Sequence, residues 1–213
     1  MPDNTPDLVP GNGAAAVLDH QGAREPGFFT QDELDWLPWL QPPEEADLTG
    51  AQRAGLIDGA RSKSPYFRLL ALDPAVLAAR TLTDKDIFYN PEGGLPRADR
   101  EIAAAATSRV NGCIYCASVH ARFAAHHARR REDVQRLLEE GVGAALDPRW
   151  DAIVAASAAL AATPIAFGPG HVARLRAAGL DEAAIVDVVN GAAFFNWANR
   201  LMLSLGQAAA RPS

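Results

Sequence analysis

Residues 101–120 read EIAAAATSRVNGCIYCASVH, and the rest of the chain is placed outward from them. Pro96 and Arg97 follow Gly93-Gly94 just upstream, and proline near a helix start uses its fixed φ where no N–H partner is needed. The pattern predicts a helix over about 97–110, with Asp99 and Glu101 in its first turn, where carboxylates meet the positive end of the dipole. Asn111-Gly112 ends it, since glycine tolerates the left-handed conformation common just past a helix. A second helix opens at Cys113 and runs to about Arg130. On it Cys113 and Cys116 stand at i, i+3, and Cys116 and His120 at i, i+4, so both sulfurs and the imidazole share one face.

These residues have the makings of a redox site. The first turn of a helix stabilises a thiolate, and a nearby imidazole accepts or relays the thiol proton. A thiolate attacks peroxide to give a sulfenic acid, which a neighbouring thiol converts to a disulfide. The spacing leaves open which cysteine attacks. The dipole favours Cys113 and the imidazole favours Cys116, each by an amount on the order of 1 kcal/mol.

The same residue types also occur in other kinds of site. Adding Glu101 to the C-x-x-C and His120 makes four possible metal ligands, but closed zinc sites usually draw on two separated pairs and one pair exists here. No metal is expected. A thioredoxin-like site needs a strand before its C-x-x-C, whereas EIAAAATSRV has a helical pattern. Two buried thiols without chemistry would be the bland alternative, and the placement of Glu101 and His120 counts against it.

The pattern E-x11-C-x2-C-x3-H, with GGLPRADRE before it and FFNWANRLMLSLG near the C-terminus, resembles a known family. It is the signature of the alkylhydroperoxidase D (AhpD)-like branch of the carboxymuconolactone decarboxylase superfamily, and the flanks look like its peroxidase-related subgroup. The similarity extends over about residues 45–208. The resemblance implies an all-α, AhpD-like helical bundle, here with an N-terminal arm over 1–45 and the all-helical domain over 46–213. It further implies that Cys116 is the peroxidatic cysteine, Cys113 the resolving one, and Glu101 with His120 the proton relay. The implied partners are a small-molecule hydroperoxide and an external dithiol reductant, with no cofactor. The implied assembly is a homo-oligomer, trimer-based or dimer/hexamer. The best-studied hydroperoxidases of the family carry a second histidine where this chain has Tyr115. The decarboxylase branch lacks the cysteine pair, which disfavours decarboxylation here.

Composition agrees with a helical protein. Of 213 residues 48% are hydrophobic, with alanine the commonest of them, and only 7% aromatic, which reads as an all-helical chain with one substantial core. The net charge of −6 gives nucleic-acid binding no electrostatic support, and Arg129, Arg130 and Arg131 read as a solvated helix end. The start of the chain lacks a basic region followed by an apolar one, and AIVAASAALAATPIAFG is too weakly apolar to span a membrane. A cytoplasmic location is expected, where the dithiol would cycle rather than serve as a permanent staple.

In chain order, residues 1 to about 28 read as a poorly structured arm rich in proline, glycine, aspartate and asparagine. Thr30 with Glu33 fits a capping box, which predicts a short helix carrying Phe28, Phe29, Trp36, Leu37, Trp39 and Leu40 over this core or a neighbour's. Thr49 caps a helix reaching about Ser62, with Leu56 and Ile57 facing inward. Further helices are expected over SPYFRLLAL, from Pro74 to Phe88, from Asp133 to Glu140, and from Asp147-Pro148 to Ala162. HVARLRAAGL is another, stopped by Gly179, and Asp181 caps the last, which reaches about Gln207. No strand with real alternation stands out. In the last helix Asn196, Asn199 and Arg200 lie among large apolar residues, as either a packing clamp or the lining of a pocket or interface. Tyr115 is assigned to packing, His126 and His127 to a solvated helix end, and His20 and His171 stand alone.

The expected function is that of a thiol-dependent peroxidase. A non-enzymatic redox sensor built on the same dithiol is the competing class. A third possibility is acid–base chemistry by Glu101 and His120 on a small organic acid or lactone.

Overall fold

The computed structural model describes residues 17–92 and 94–211, so the first sixteen residues of the expected arm lie outside it. In chain order the elements are β1 (Leu34–Pro38), α1 (Gly50–Gly55), α2 (Pro65–Leu70), α3 (Pro74–Tyr89), α4 (Arg97–Val110) and α5 (Ile114–Ala128). They continue with α6 (Arg131–Glu140), α7 (Pro148–Ala161), α8 (Pro169–Ala177), α9 (Glu182–Leu205) and β2 (Gly206–Ala210). A 3-10 turn at Gly59–Lys63 joins α1 to α2. This is an all-α bundle with a two-stranded sheet added.

Alanine decides the centre. Ala103 to Ala106 are buried along α4, and such small side chains let α5, α7 and α9 approach closely on several sides. The main core gathers Ile102, Leu137, Ile153, Leu175 and Val188 around that helix. Each such side chain contributes about 1.5–3 kcal/mol by leaving water. A second cluster joins Trp36, Tyr66, Phe88, Phe194, Phe195 and Met202 to both cysteines. The site is therefore set into an aromatic satellite of the core.

Local signals place most boundaries. Gly112, Gly141 and Gly179 have φ of 77°, 84° and 84°, as helix stops require. Asp147 and Asp181 accept hydrogen bonds from the first turns of α7 and α9. The loop into α4 is pinned from two sides. Arg100 donates to the carbonyls of Ile87, Asn90 and Leu95, and Leu95 N donates to Asp187 on α9.

Five local expectations are corrected. The short helix at Thr30 is absent: Thr30 Oγ1 accepts from Asp32 N in a turn, and residues 34–38 form a strand. This strand pairs antiparallel with β2, Leu34 opposite Ala210 and Pro38 opposite Gly206, and buries Leu34 and Trp36 on its inner face. The same pairing stops α9 at Leu205 instead of Gln207. The Thr49 capping box forms, yet α1 ends at Gly55 well short of Ser62, at a close approach to Pro74 where a Cβ would meet the Pro74 carbonyl oxygen at 2.7 Å. Ile57, at φ 61°, is exposed while Leu56 is buried. Arg130 is not simply solvated. It bonds Asp133 and Asp147 and covers the Trp150 ring at 4.0 Å, tying α6 to α7.

Gly206 is where the sheet tolerates no side chain. A Cβ there would collide with Leu37 O and the Trp36 ring. Gly206→Ala is expected to open this end of the sheet and lower stability by about 1–3 kcal/mol. Urea unfolding checks this, and an unchanged midpoint would contradict it.

Candidate active site

The turn Asn111-Gly112 delivers Cys113 to the N-cap of α5, and Cys116 lies one turn further on. Their sulfurs are 2.7 Å apart and both are buried, so the two free thiols form a hydrogen-bonded pair. The hydrogen bond from Cys116 is the main cause holding the Cys113 thiol below its ordinary value. Burial pushes the Cys116 thiol well above its own, helped by the bond and charge of Cys113. Of the two sulfurs Cys113 therefore ionises the more readily, and Cys116 holds its proton the more tightly.

A network behind the sulfurs holds them. Asn199 Nδ2 donates to Ser108 Oγ at 3.0 Å, and Asn111 Nδ2 donates to Asn199 Oδ1 and Asn196 Oδ1, each at 3.0 Å. The Asn199 amide favours the charged form of both sulfurs. The packing clamp considered for the last helix is thus present, and it reaches the dithiol. Arg200 is exposed and takes no part in it.

Glu101 is fully buried on α4. Its Oε2 lies 2.5 Å from His120 Nδ1, and Arg97 Nε donates to its Oε1 at 2.5 Å. The carboxylate orients the imidazole and holds its Nδ1 proton, which leaves Nε2 as the exchanging nitrogen. His120 is also wedged against Phe195, with ring centroids 3.9 Å apart. Arg97 was missed in the sequence, although its i, i+4 spacing from Glu101 is a readable signal.

Cys116, His120 and Glu101 line one cavity of about 610 Å³, walled by Tyr66, Phe88 and Phe195. Cys113 lines a different and smaller cavity of about 110 Å³, beside Trp36, Trp39 and Gly206. Tyr115 and Met202 line both and form the partition. The two sulfurs thus open onto separate spaces. Arg80 and Tyr66, buried in the larger cavity, had no signature in the sequence.

The remaining histidines have local partners. His20 Nε2 contacts Pro38 O at 2.7 Å, and Gly168 N donates to His171 Nδ1 at 3.2 Å. His126 and His127 are exposed at the end of α5. Among the described residues no group of three or more His, Cys, Asp and Glu side chains is arranged to hold a metal ion. No described helix is long and apolar enough to cross a membrane.

Residues 74–162, from α3 to the end of α7, match the model of the carboxymuconolactone decarboxylase family. The matched span contains Glu101, Cys113, Cys116 and His120. Over this stretch the chain is similar to that family. By fold, the chain is similar to AhpD-like solved structures. It is similar to an AhpD core, an uncharacterized peroxidase-related protein from Ralstonia eutropha JMP134, with a TM-score of 0.66 at 23% identity over 80% of this chain and 90% of that one. An uncharacterized peroxidase-related protein from Silicibacter sp. TM1040 matches with a TM-score of 0.61 at 20% identity, over 90% of each chain. A debrominase in its apo form matches with a TM-score of 0.62 at 18% identity, over 76% of this chain and 87% of that one. No curated protein matches the chain.

Proposed function

We propose that the protein is a thiol-dependent peroxidase that reduces hydroperoxides through a dithiol/disulfide cycle. The observation that carries this reading is the shared cavity of Cys116 and His120, with Cys113 Sγ 2.7 Å behind the attacking sulfur. His120 Nε2 takes the Cys116 proton while Glu101 compensates the positive charge on the ring. The thiolate attacks the terminal peroxide oxygen, the O–O bond breaks, and the leaving alkoxide takes the proton back from His120. Cys113 then attacks the Cys116 sulfenic acid, forming a disulfide and releasing water. An external dithiol restores both thiols by exchange, and the small cavity at Cys113 supplies a second approach for it.

Tyr115 replaces the family's second histidine, so a single imidazole serves the whole proton path. The cycle needs a reducing compartment, which assigns the protein to the cytoplasm. Exposed Trp197 and Leu203 on α9 supply apolar surface for the homo-oligomer that the family implies, trimer-based or dimer/hexamer.

The double variant Cys113→Ser/Cys116→Ser separates this reading from its rivals. Dithiol-dependent turnover of cumene hydroperoxide is expected in the wild type and absent in the double variant. Turnover of a small organic acid or lactone that survived the double substitution would point to acid–base chemistry by Glu101 and His120. Slow peroxide reaction with a large change in assembly on oxidation would point to a redox sensor.

A further inference from the structure

Arg80, on α3, is a buried cation whose hydrogen-bonding capacity is largely unused. It is 7% exposed, and its Nε and Nη1 make no hydrogen bond. The guanidinium lies 5.2 Å from the Phe67 and Phe194 ring centroids and 5.9 Å from that of Tyr66. Its nearest carboxylate, Asp84, is 3.7 Å away and already engaged by Arg61 at 2.5 Å. The Tyr66 hydroxyl beside it is also buried without a hydrogen-bond partner. Buried polar groups in native proteins are nearly always satisfied, and a buried guanidinium short of partners is costly. These atoms are set for a group the protein itself does not supply.

The surroundings identify its charge. Four cations, Arg61, Arg80, Lys85 and Arg97, line this cavity against three carboxylates, Asp58, Asp84 and Glu101. Asp58 caps Ala60 N, and Glu101 is occupied by Arg97 and His120. This excess of positive charge stands in a protein whose net charge is −6. An anion with two oxygens suits a guanidinium with free donors. Size points the same way. A peroxide group needs little more than the ~30 Å³ share of a water molecule. The cavity of about 610 Å³, walled by Tyr66, Phe67, Phe88 and Phe195, fits an organic body.

We propose that this end of the cavity is a carboxylate site built on Arg80, so that the substrate is an organic hydroperoxide bearing a carboxylate. The inference rests on the peroxidase reading for the hydroperoxide and on Arg80 for the carboxylate. The carboxylate sits on Arg80 and Tyr66, the apolar body lies along Phe88 and Phe195, and the hydroperoxide reaches Cys116 and His120. The carboxylate leaves unchanged, still attached to the product alcohol.

Calorimetry on the reduced wild type with two product alcohols, cumyl alcohol and its para-carboxylated form, tests the site without any turnover. The carboxylated alcohol is expected to bind about tenfold tighter or more. Arg80→Met should remove that preference and leave cumyl alcohol binding within about threefold. Equal binding of the two alcohols by the wild type overturns the site, and needs no folded variant to do so. Equal weakening of both in a folded Arg80→Met also overturns it. Initial rates with the two corresponding hydroperoxides complete the test. A binding preference without hydroperoxide turnover overturns the proposed substrate through the peroxidase reading, while turnover of both hydroperoxides by a wild type that binds the two alcohols equally overturns it through Arg80.

Discussion

Cys116→Ser is expected to lose at least about a thousandfold in kcat/KM for hydroperoxides, because a hydroxyl cannot replace the nucleophilic sulfur. Cys113→Ser should instead react once with peroxide and stop as a sulfenic acid on Cys116, since no second thiol is left to close the disulfide. The asymmetry follows from placement. Cys116 lines the larger cavity with His120, whereas Cys113 lines the smaller one behind Tyr115. The pair also predicts a shift with pH. In the wild type the bond and charge of Cys113 add to burial in raising the Cys116 pKa. Replacing Cys113 with serine removes the neighbouring negative charge, so Cys116 should react at lower pH than in the wild type. Iodoacetamide labelling against pH, with the labelled peptide identified by mass, measures this directly. Sulfenate on residue 113 of Cys116→Ser, with peroxidase activity retained, would reverse the two roles.

Glu101→Gln is expected to lower kcat by about 10²–10⁴-fold while the protein stays folded. The glutamine fills the same buried volume, but its amide must turn its oxygen to Arg97 and its NH₂ to His120 Nδ1. His120 Nδ1 then becomes an acceptor, the ring proton moves to Nε2, and Nε2 can no longer take the Cys116 proton. The loss should fall mainly on kcat, and it should narrow as pH rises and the thiol ionises without help. Glu101→Leu goes further and leaves the Arg97 cation without its carboxylate, at an expected cost of about 3–5 kcal/mol in stability. Stopped-flow kinetics across pH and thermal unfolding distinguish the two effects. A Glu101→Gln variant with unchanged kcat and pH profile would exclude the carboxylate from the proton path.

The candidate site was legible because its geometry is local. Cys113, Cys116 and His120 lie within eight residues, Cys113 at the N-cap of α5 and the other two one turn apart on it, where i, i+4 spacing puts Cys116 and His120 on one cavity. Helix ends were legible for a similar reason: Gly112, Gly141 and Gly179 act through their own backbone, and Asp147 and Asp181 through bonds to the next turn. The strand at 34–38 was not, because its partner at 206–210 lies at the opposite end of the chain. Thr30 and Glu33 have the letters of a capping box, but tertiary pairing of Trp36 prevailed over that local preference. Asn199 and Arg80 depend on contacts between distant helices, and neither residue type declares such a role by spacing. Sequence could flag Asn199 as a polar residue among apolar ones. It could not say that the amide would reach the sulfurs.

The most direct measurement is the loss of free thiols in fully reduced protein mixed rapidly with one equivalent of cumene hydroperoxide, read by thiol titration and peptide mass. The account predicts rapid loss of both thiols, one cumyl alcohol formed, and a disulfide joining Cys113 to Cys116. Thiols that remain titratable in millimolar peroxide would contradict it.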